Sequence, residues 1–295
     1  MFKGSIVALV TPFDDQGNVD YATFAELIEW HVESSTDAIA VCGVTGESPT
    51  LSYEEKVKIF RESVRVANGR IPIIAGTGSC QTAEALCLTE EAKNAGVDGA
   101  LVITPYFNRP TPEGCYQHFR KISNIGLPMI CYHHPSRAGI KLPVKALARI
   151  LELPSIVAVK EGSTDLDYGI ELMQLSHKPV LAGDDSLILP MMASGAVGVI
   201  SIVANIIPRE WKILANLLLD DEVGRARDYF RRYHALVMSM VLEINPQCVK
   251  YALSLMGKCL PGLRLPLTLP QETTQQKIEY ELSKMNLNKH QATLV

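Results

Sequence analysis

A chain of 295 residues with a formal net charge of -4, 47% apolar and 20% charged residues has the make-up of a globular protein with a sizeable core. Its acidic balance and lack of any basic run argue against a nucleic-acid or anionic-membrane surface, and no stretch approaches the ~20 apolar residues of a membrane span. Seven cysteines, an odd number scattered without metal-like pairing, read as reduced thiols in a cytoplasmic protein, with Cys42 and Cys131 inside apolar runs. The opening Met1 to Ser5 leads into a short apolar run and then Thr11-Pro12, too short for a signal-peptide core.

The first short apolar run spans Ser5 to Val10. The next is Ala38 to Cys42, before Gly43-Val44-Thr45-Gly46-Glu47, followed by Ile71 to Ala75 before Gly76-Thr77-Gly78. Ala100 to Ile103 stops at Thr104-Pro105-Tyr106, and Pro128 to Tyr132 at His133-His134-Pro135. Ile156 to Val159 ends at Lys160-Glu161-Gly162, Pro179 to Ala182 at Gly183-Asp184-Asp185, and Val197 to Val203 at Ala204-Asn205. Each run is rich in Val, Ile, Leu or Ala without strict alternation, as expected of strands buried on both faces of a parallel sheet.

Helical spacing fills the gaps. Phe24, Leu27, Ile28 and His31 recur at i, i+3, i+4, i+7 behind Asp20 as N-cap, and Ser52 with Glu55 forms a capping box. Thr82 to Asn94 predicts a helix stopped by Gly96. Alternating strands and helices point to an α/β fold, a (β/α)8 TIM barrel over residues 1–225. The remainder reads as helices over Trp211 to Leu219, Val223 to Leu242, Cys248 to Met256 and Gln275 to Met285. The last part, 226–295, is a C-terminal helical extension with no low-complexity linker before it.

Active sites of such barrels lie at the C-terminal strand ends. That rule gathers Thr45, Glu47, Thr77, Tyr106, Phe107, Tyr132, Arg137, Lys160, Asp184 and Asn205. Lys160, directly after Ile-Val-Ala-Val, would bring an amine to an apolar mouth, where desolvation lowers its pKa and makes it a nucleophile for a ketone. The alternatives are a lysine that snorkels to solvent or one that pairs with Glu161. Tyr132 is placed to shuttle protons, or simply caps the barrel core. Arg137, read as a loop residue, suits a bidentate carboxylate contact or a solvated surface. Gly43 to Glu47 offers backbone N–H groups and the Thr45 hydroxyl to an anion, or is an ordinary turn. His133-His134 lacks metal-ligand spacing, so neither metal nor cofactor is expected.

Together these motifs resemble the dihydrodipicolinate synthase family, within the N-acetylneuraminate lyase superfamily of class I aldolases. The match covers nearly the whole chain: Gly4 to Phe13, Thr45-Gly46-Glu47-Ser48, Ile73 to Gly78, Thr104-Pro105-Tyr106, Tyr132, Pro135-Ser136-Arg137, Lys160-Glu161, Gly183-Asp184-Asp185 and Val199-Ile200-Ser201. The resemblance implies a lyase that holds pyruvate as a Schiff base on Lys160 and condenses it with aspartate semialdehyde, feeding lysine and diaminopimelate synthesis. It implies Tyr132 as proton carrier, and Thr45, Gly183 and Ile200 around the pyruvate. It also implies Arg137 on the second substrate's carboxylate, and a homotetramer built from two tight dimers. The Pro-Ser-Arg motif at Pro135 to Arg137 favours the synthase branch over the sugar-acid aldolases.

The chain departs from the family pattern at Val44, usually threonine, and at Phe107, usually tyrosine. Those hydroxyls belong to the family's proton relay with Tyr132, the second reaching across the tight dimer. Their loss leaves two other outcomes on sequence, an aldolase using another aldehyde or a low-activity pyruvate-binding relic. His134, usually apolar in the family, is either a substitute proton path or a barrel-capping histidine. At the family's lysine-inhibition site Ser48, Glu84 and Tyr106 are retained. Cys80, Tyr53 and Lys56 replace the usual asparagine and histidines, and the Lys56 charge opposes a cationic inhibitor.

Overall fold

The computed structural model describes residues 2–288, so residues 289–295 of the expected extension lie outside the described part. β1 (Gly4–Ala8) is followed by α1 (Tyr21–Glu33), β2 (Ala38–Val41) by α2 (Tyr53–Ala67), β3 (Ile73–Gly76) by α3 (Thr82–Ala95) and β4 (Gly99–Ile103) by α4 (Pro112–Ser123). β5 (Met129–His133) runs through the single turn α5 (Pro135–Ala138) into α6 (Val144–Leu151), and β6 (Ile156–Glu161) leads to α7 (Leu166–Leu175). β7 (Val180–Ala182) leads to α8 (Ile188–Ala193) and β8 (Gly198–Ser201) to α9 (Pro208–Leu219). The strands pair in parallel, each with the next and β8 with β1, closing the TIM barrel. α10 (Val223–Ser239), α11 (Gln247–Leu255) and α12 (Glu272–Lys284) follow, α10 packing on α8, α9 and α12.

Local chemistry sets the helix ends where the sequence places them. The Asp20 carboxylate accepts from Ala22 N and Thr23 N, the Ser52–Glu55 capping box is reciprocal, and Gly96 closes α3 in the left-handed region.

Strand parity divides the core in two. Ile6, Ala8, Ala38, Ala40, Ile74, Leu101, Ile130, Tyr132, Ala158, Leu181 and Ile200 fill the barrel interior, while their strand neighbours pack outward beneath the helices. β6 breaks the alternation. Met129 pairs with Ile156 but Ile130 pairs with Ala158, a register shift that leaves Val157 over. Ile156 can therefore face the helices while Ala158 faces the interior. Beyond the shift Tyr132 lies opposite Lys160.

The extension is tied to the barrel by a buried ion pair. Lys250 Nζ on α11 lies 2.7 Å from Glu47 Oε1, both side chains fully buried, and Glu47 Oε2 accepts from Arg264 N at 3.0 Å. Lys250 Nζ also sits 4.1 Å over the Phe13 ring. Burial alone would lower the lysine's pKa, and the Glu47 charge opposes that. Removing one partner leaves the other charge buried and unpaired. In urea unfolding Lys250→Met is expected to lose about 3–5 kcal/mol, and the double change Lys250→Met with Glu47→Gln to lose less. Equal losses in both variants would count against this pair as the anchor.

Candidate active site

Tyr132 and Lys160 stand side by side on the inner wall, with Lys160 Nζ 4.4 Å over the tyrosine ring. They line a cavity of about 490 Å³ at the C-terminal end of the barrel with Val44, Thr45, His134, Arg137, Gly183, Asp184 and Asp185. Lys160 is 95% buried, from an exposure of 5%. Desolvation pushes its amine down to about 8, opposed by Asp185 and Asp184 and reinforced by Arg137. Glu161 is not its partner. That carboxylate points to the other face of β6, where Oε1 lies 3.2 Å from His133 Nδ1 and accepts from Ser163 N at 2.9 Å. His133 Nε2 in turn accepts from Leu142 N at 3.3 Å, which leaves the ring proton on Nδ1, facing Glu161.

Desolvation also raises the Tyr132 phenol above its ordinary value, so it is protonated at neutral pH. Asp185 is a structural acid: it is buried and accepts from Ile202 N, Val203 N and Trp211 Nε1 at 2.9, 3.1 and 2.7 Å. Its position fixes the β8 exit, and burial raises its pKa against the hydrogen bonds it accepts.

Thr45 is buried and its Oγ1 accepts from Asn245 Nδ2 at 3.0 Å. The loop holding it is pinned by Thr11 Oγ1, which donates to Gly46 O at 2.8 Å, and by Glu47, whose backbone adopts φ +54°. Arg137, expected on a loop, lies in the turn α5: Pro135 presets the helical φ at its first position. The arginine is half-buried and its Nη2 reaches toward Asn245 O at 3.4 Å. Asn245 thus touches both side chains read as carboxylate grips. The sequence reading missed it, although the Asn-Pro dipeptide at Asn245-Pro246 marked a turn. Val241, Glu243 and Ile244 join it on the cavity wall.

Gly183 allows β7 to approach β6: a Cβ there would lie 2.5 Å from Glu161 O. Ile200 is buried in the interior cluster, and Ile202 is the residue of that segment on the cavity lining. Val44 lines the cavity without a hydroxyl to offer. Phe107 is elsewhere, 90% exposed with φ +69°, and does not line the cavity of its own chain. Ser48 and Tyr106 border an adjoining cavity of about 190 Å³. Lys56 is buried beside Glu84 at 3.9 Å, and Glu84 also accepts from Ser79 Oγ at 2.5 Å. The carboxylate is already engaged.

The pattern described as the dihydrodipicolinate synthetase family matches residues 1–285. The chain belongs to this family. It is 45% identical to the 4-hydroxy-tetrahydrodipicolinate synthase of Aquifex aeolicus over 291 residues, covering 97% of this chain and 99% of that one. Over 270 residues it is 44% identical to the enzyme of that name from Pelobacter propionicus, covering 90% and 93%. The crystal structure of the Aquifex aeolicus dihydrodipicolinate synthase superposes with a TM-score of 0.95, covering 97% of this chain and 99% of that chain. The chloride-inhibited dihydrodipicolinate synthase of Acinetobacter baumannii, complexed with pyruvate, is 39% identical and also gives 0.95, covering 97% and 100%. No helix among the described residues is long and apolar enough to cross a membrane.

The depressed amine of Lys160 has a direct readout. Labelling by an amine-directed acylating reagent, mapped to the Lys160 peptide across pH, should show a midpoint near 8. A midpoint at the ordinary lysine value would remove the desolvation argument.

Proposed function

We propose that this cavity condenses pyruvate with aspartate semialdehyde to 4-hydroxy-tetrahydrodipicolinate, a lyase reaction proceeding through an imine on Lys160. The observation that carries the reading is a buried amine, lowered to about 8, beside a protonated phenol and between two groups suited to carboxylates. Relatives carrying the synthase name along their whole length support the substrate pair. The pyruvate complex of a structural neighbour supports the first substrate.

In this mechanism the neutral amine attacks C2 of pyruvate, and Tyr132 protonates the departing oxygen, which leaves as water. Loss of a C3 proton gives the enamine, whose C3 attacks the aldehyde carbon. The amino group of the second substrate then displaces Lys160 from C2 and closes the ring. Thr45 and the amides of its loop take the pyruvate carboxylate, and Gly183 borders the same substrate, with Ile202 rather than Ile200 on the lining of that segment. Arg137 takes the carboxylate of the semialdehyde. No cofactor or metal enters these steps.

The working form is read as a cytoplasmic homotetramer, a dimer of tight dimers. The exposed Phe107, in left-handed backbone and turned away from its own cavity, suits a residue covered by a partner. Seven free thiols suit a reducing compartment.

Borohydride reduction in the presence of pyruvate should add one pyruvate-derived mass, mapped to Lys160. An adduct on another lysine, or one that survives Lys160→Ala, refutes the assignment.

Arg137→Ala is expected to raise the KM for aspartate semialdehyde by an amount worth roughly 1.5–3 kcal/mol while pyruvate trapping persists. Parallel loss of trapping and turnover would speak against the assigned role of Arg137.

A further inference from the structure

Tyr132 must give and regain a proton in every cycle; its side chain lines both adjoining cavities, and no described residue hydrogen-bonds its hydroxyl. Val44, beside it on the cavity wall, has nothing to exchange a proton with. His134 does. Its ring meets the Tyr132 ring edge-on, with centroids 5.5 Å apart and planes at 72°, and it lines the same cavity. Gly162 leaves room for the ring, since a Cβ there would lie 3.2 Å from His134 Cδ2. On the far side His134 Nδ1 is 3.0 Å from Ser136 Oγ. Exposure rises along this line: Tyr132 is buried, His134 partly buried and Ser136 exposed.

We propose that His134 and Ser136 form the proton path between the buried Tyr132 hydroxyl and solvent. The assignment rests on the Lys160 and Tyr132 roles proposed above. When Tyr132 gives its proton to the departing oxygen, the phenolate is reloaded from His134 Nε2–H through one water spanning the two rings. Nδ1 then takes the Ser136 hydroxyl proton, and Ser136 takes one from bulk water. One proton moves inward, the imidazole exchanges tautomers, and nothing is oxidised or reduced. Run in reverse, the path carries to solvent the proton removed from C3.

The imidazole is neutral for this purpose. Burial pushes its pKa down to about 4, with Lys160 on β6, Arg137 on α5 and His133 on β5 acting in the same direction. Asp184 beyond β7 opposes them. Tyr132 and the Glu243 carboxylate also face the shared cavity. A neutral ring has one donor and one acceptor nitrogen, which a relay needs and an imidazolium lacks.

Exchange of the pyruvate methyl protons in deuterium oxide, followed by proton NMR, reads this path without the second substrate. Deuterium reaches C3 only if the abstracted proton leaves the phenol for solvent before it returns. His134→Val is expected to slow exchange about 10²-fold, with the reduced Lys160 adduct still forming at saturating pyruvate. Added imidazole should restore part of the rate, which a merely structural role would not allow. Ser136→Ala, a change at an exposed hydroxyl, should slow exchange while leaving the adduct and the fold intact. Exchange at the parent rate in both variants overturns the relay alone. Absence of any Lys160 adduct in the parent overturns the imine reading and the relay with it. A parent that exchanges protons but leaves aspartate semialdehyde unconsumed fails only in the second substrate.

Discussion

Lys160 reaches the barrel mouth from a strand whose inner neighbours are Ala158 and Tyr132, and the site depends on the water excluded there. An ammonium at that position forfeits hydration, so the neutral amine gains ground. Two carboxylates keep the effect partial. Asp184 and Asp185 pull the pKa back up while Arg137 pushes it down, and the balance falls near 8. Had Glu161 turned inward, an opposite charge at contact distance would have favoured the ammonium. The β6 register shift sets that parity, sending Lys160 inward and Glu161 outward to His133.

The C-terminal extension completes the site. Asn245 holds the Thr45 hydroxyl through its side chain and meets Arg137 through its carbonyl, so the two side chains proposed to take carboxylates share one support. Lys250, five residues on, neutralises Glu47 at the end of the same loop. A small displacement of α11 would therefore be felt at Thr45 from two directions. The loop itself is short and contains Glu47 in left-handed backbone, a conformation that persists only where surrounding contacts over-determine it.

Most of the barrel was legible because its strands announce themselves locally. A run such as Ile156 to Val159 followed by Lys-Glu-Gly carries its own end signal, and the Ser52–Glu55 box and Gly96 stop need only a few residues each. Parallel order then follows from the alternation with helices. The site was legible in part for the same reason, since strand ends select Tyr132, Lys160 and Gly183. Asn245 was missed because its partners are 200 and 108 residues away. The register shift at Met129 was missed because a left-over Val157 looks like any apolar strand residue. Arg137 was read as loop because a four-residue helix is too short to show a period. Lys56 and Glu84, which the resemblance assigns to one site, lie on different helices, so their 3.9 Å contact has no local sequence signal.

The two departures from the family pattern act at different distances. Val44 lies on the cavity wall itself, whereas Phe107 is exposed and does not line the cavity. A valine side chain can neither donate nor accept, so Val44 offers the Tyr132 hydroxyl no partner. A phenolate left on Tyr132 is disfavoured by the same desolvation that raises the phenol and lowers the amine. The burial that lowers the Lys160 amine thus also constrains proton supply to the phenol beside it, and the proposed imidazole path at the rim answers that constraint.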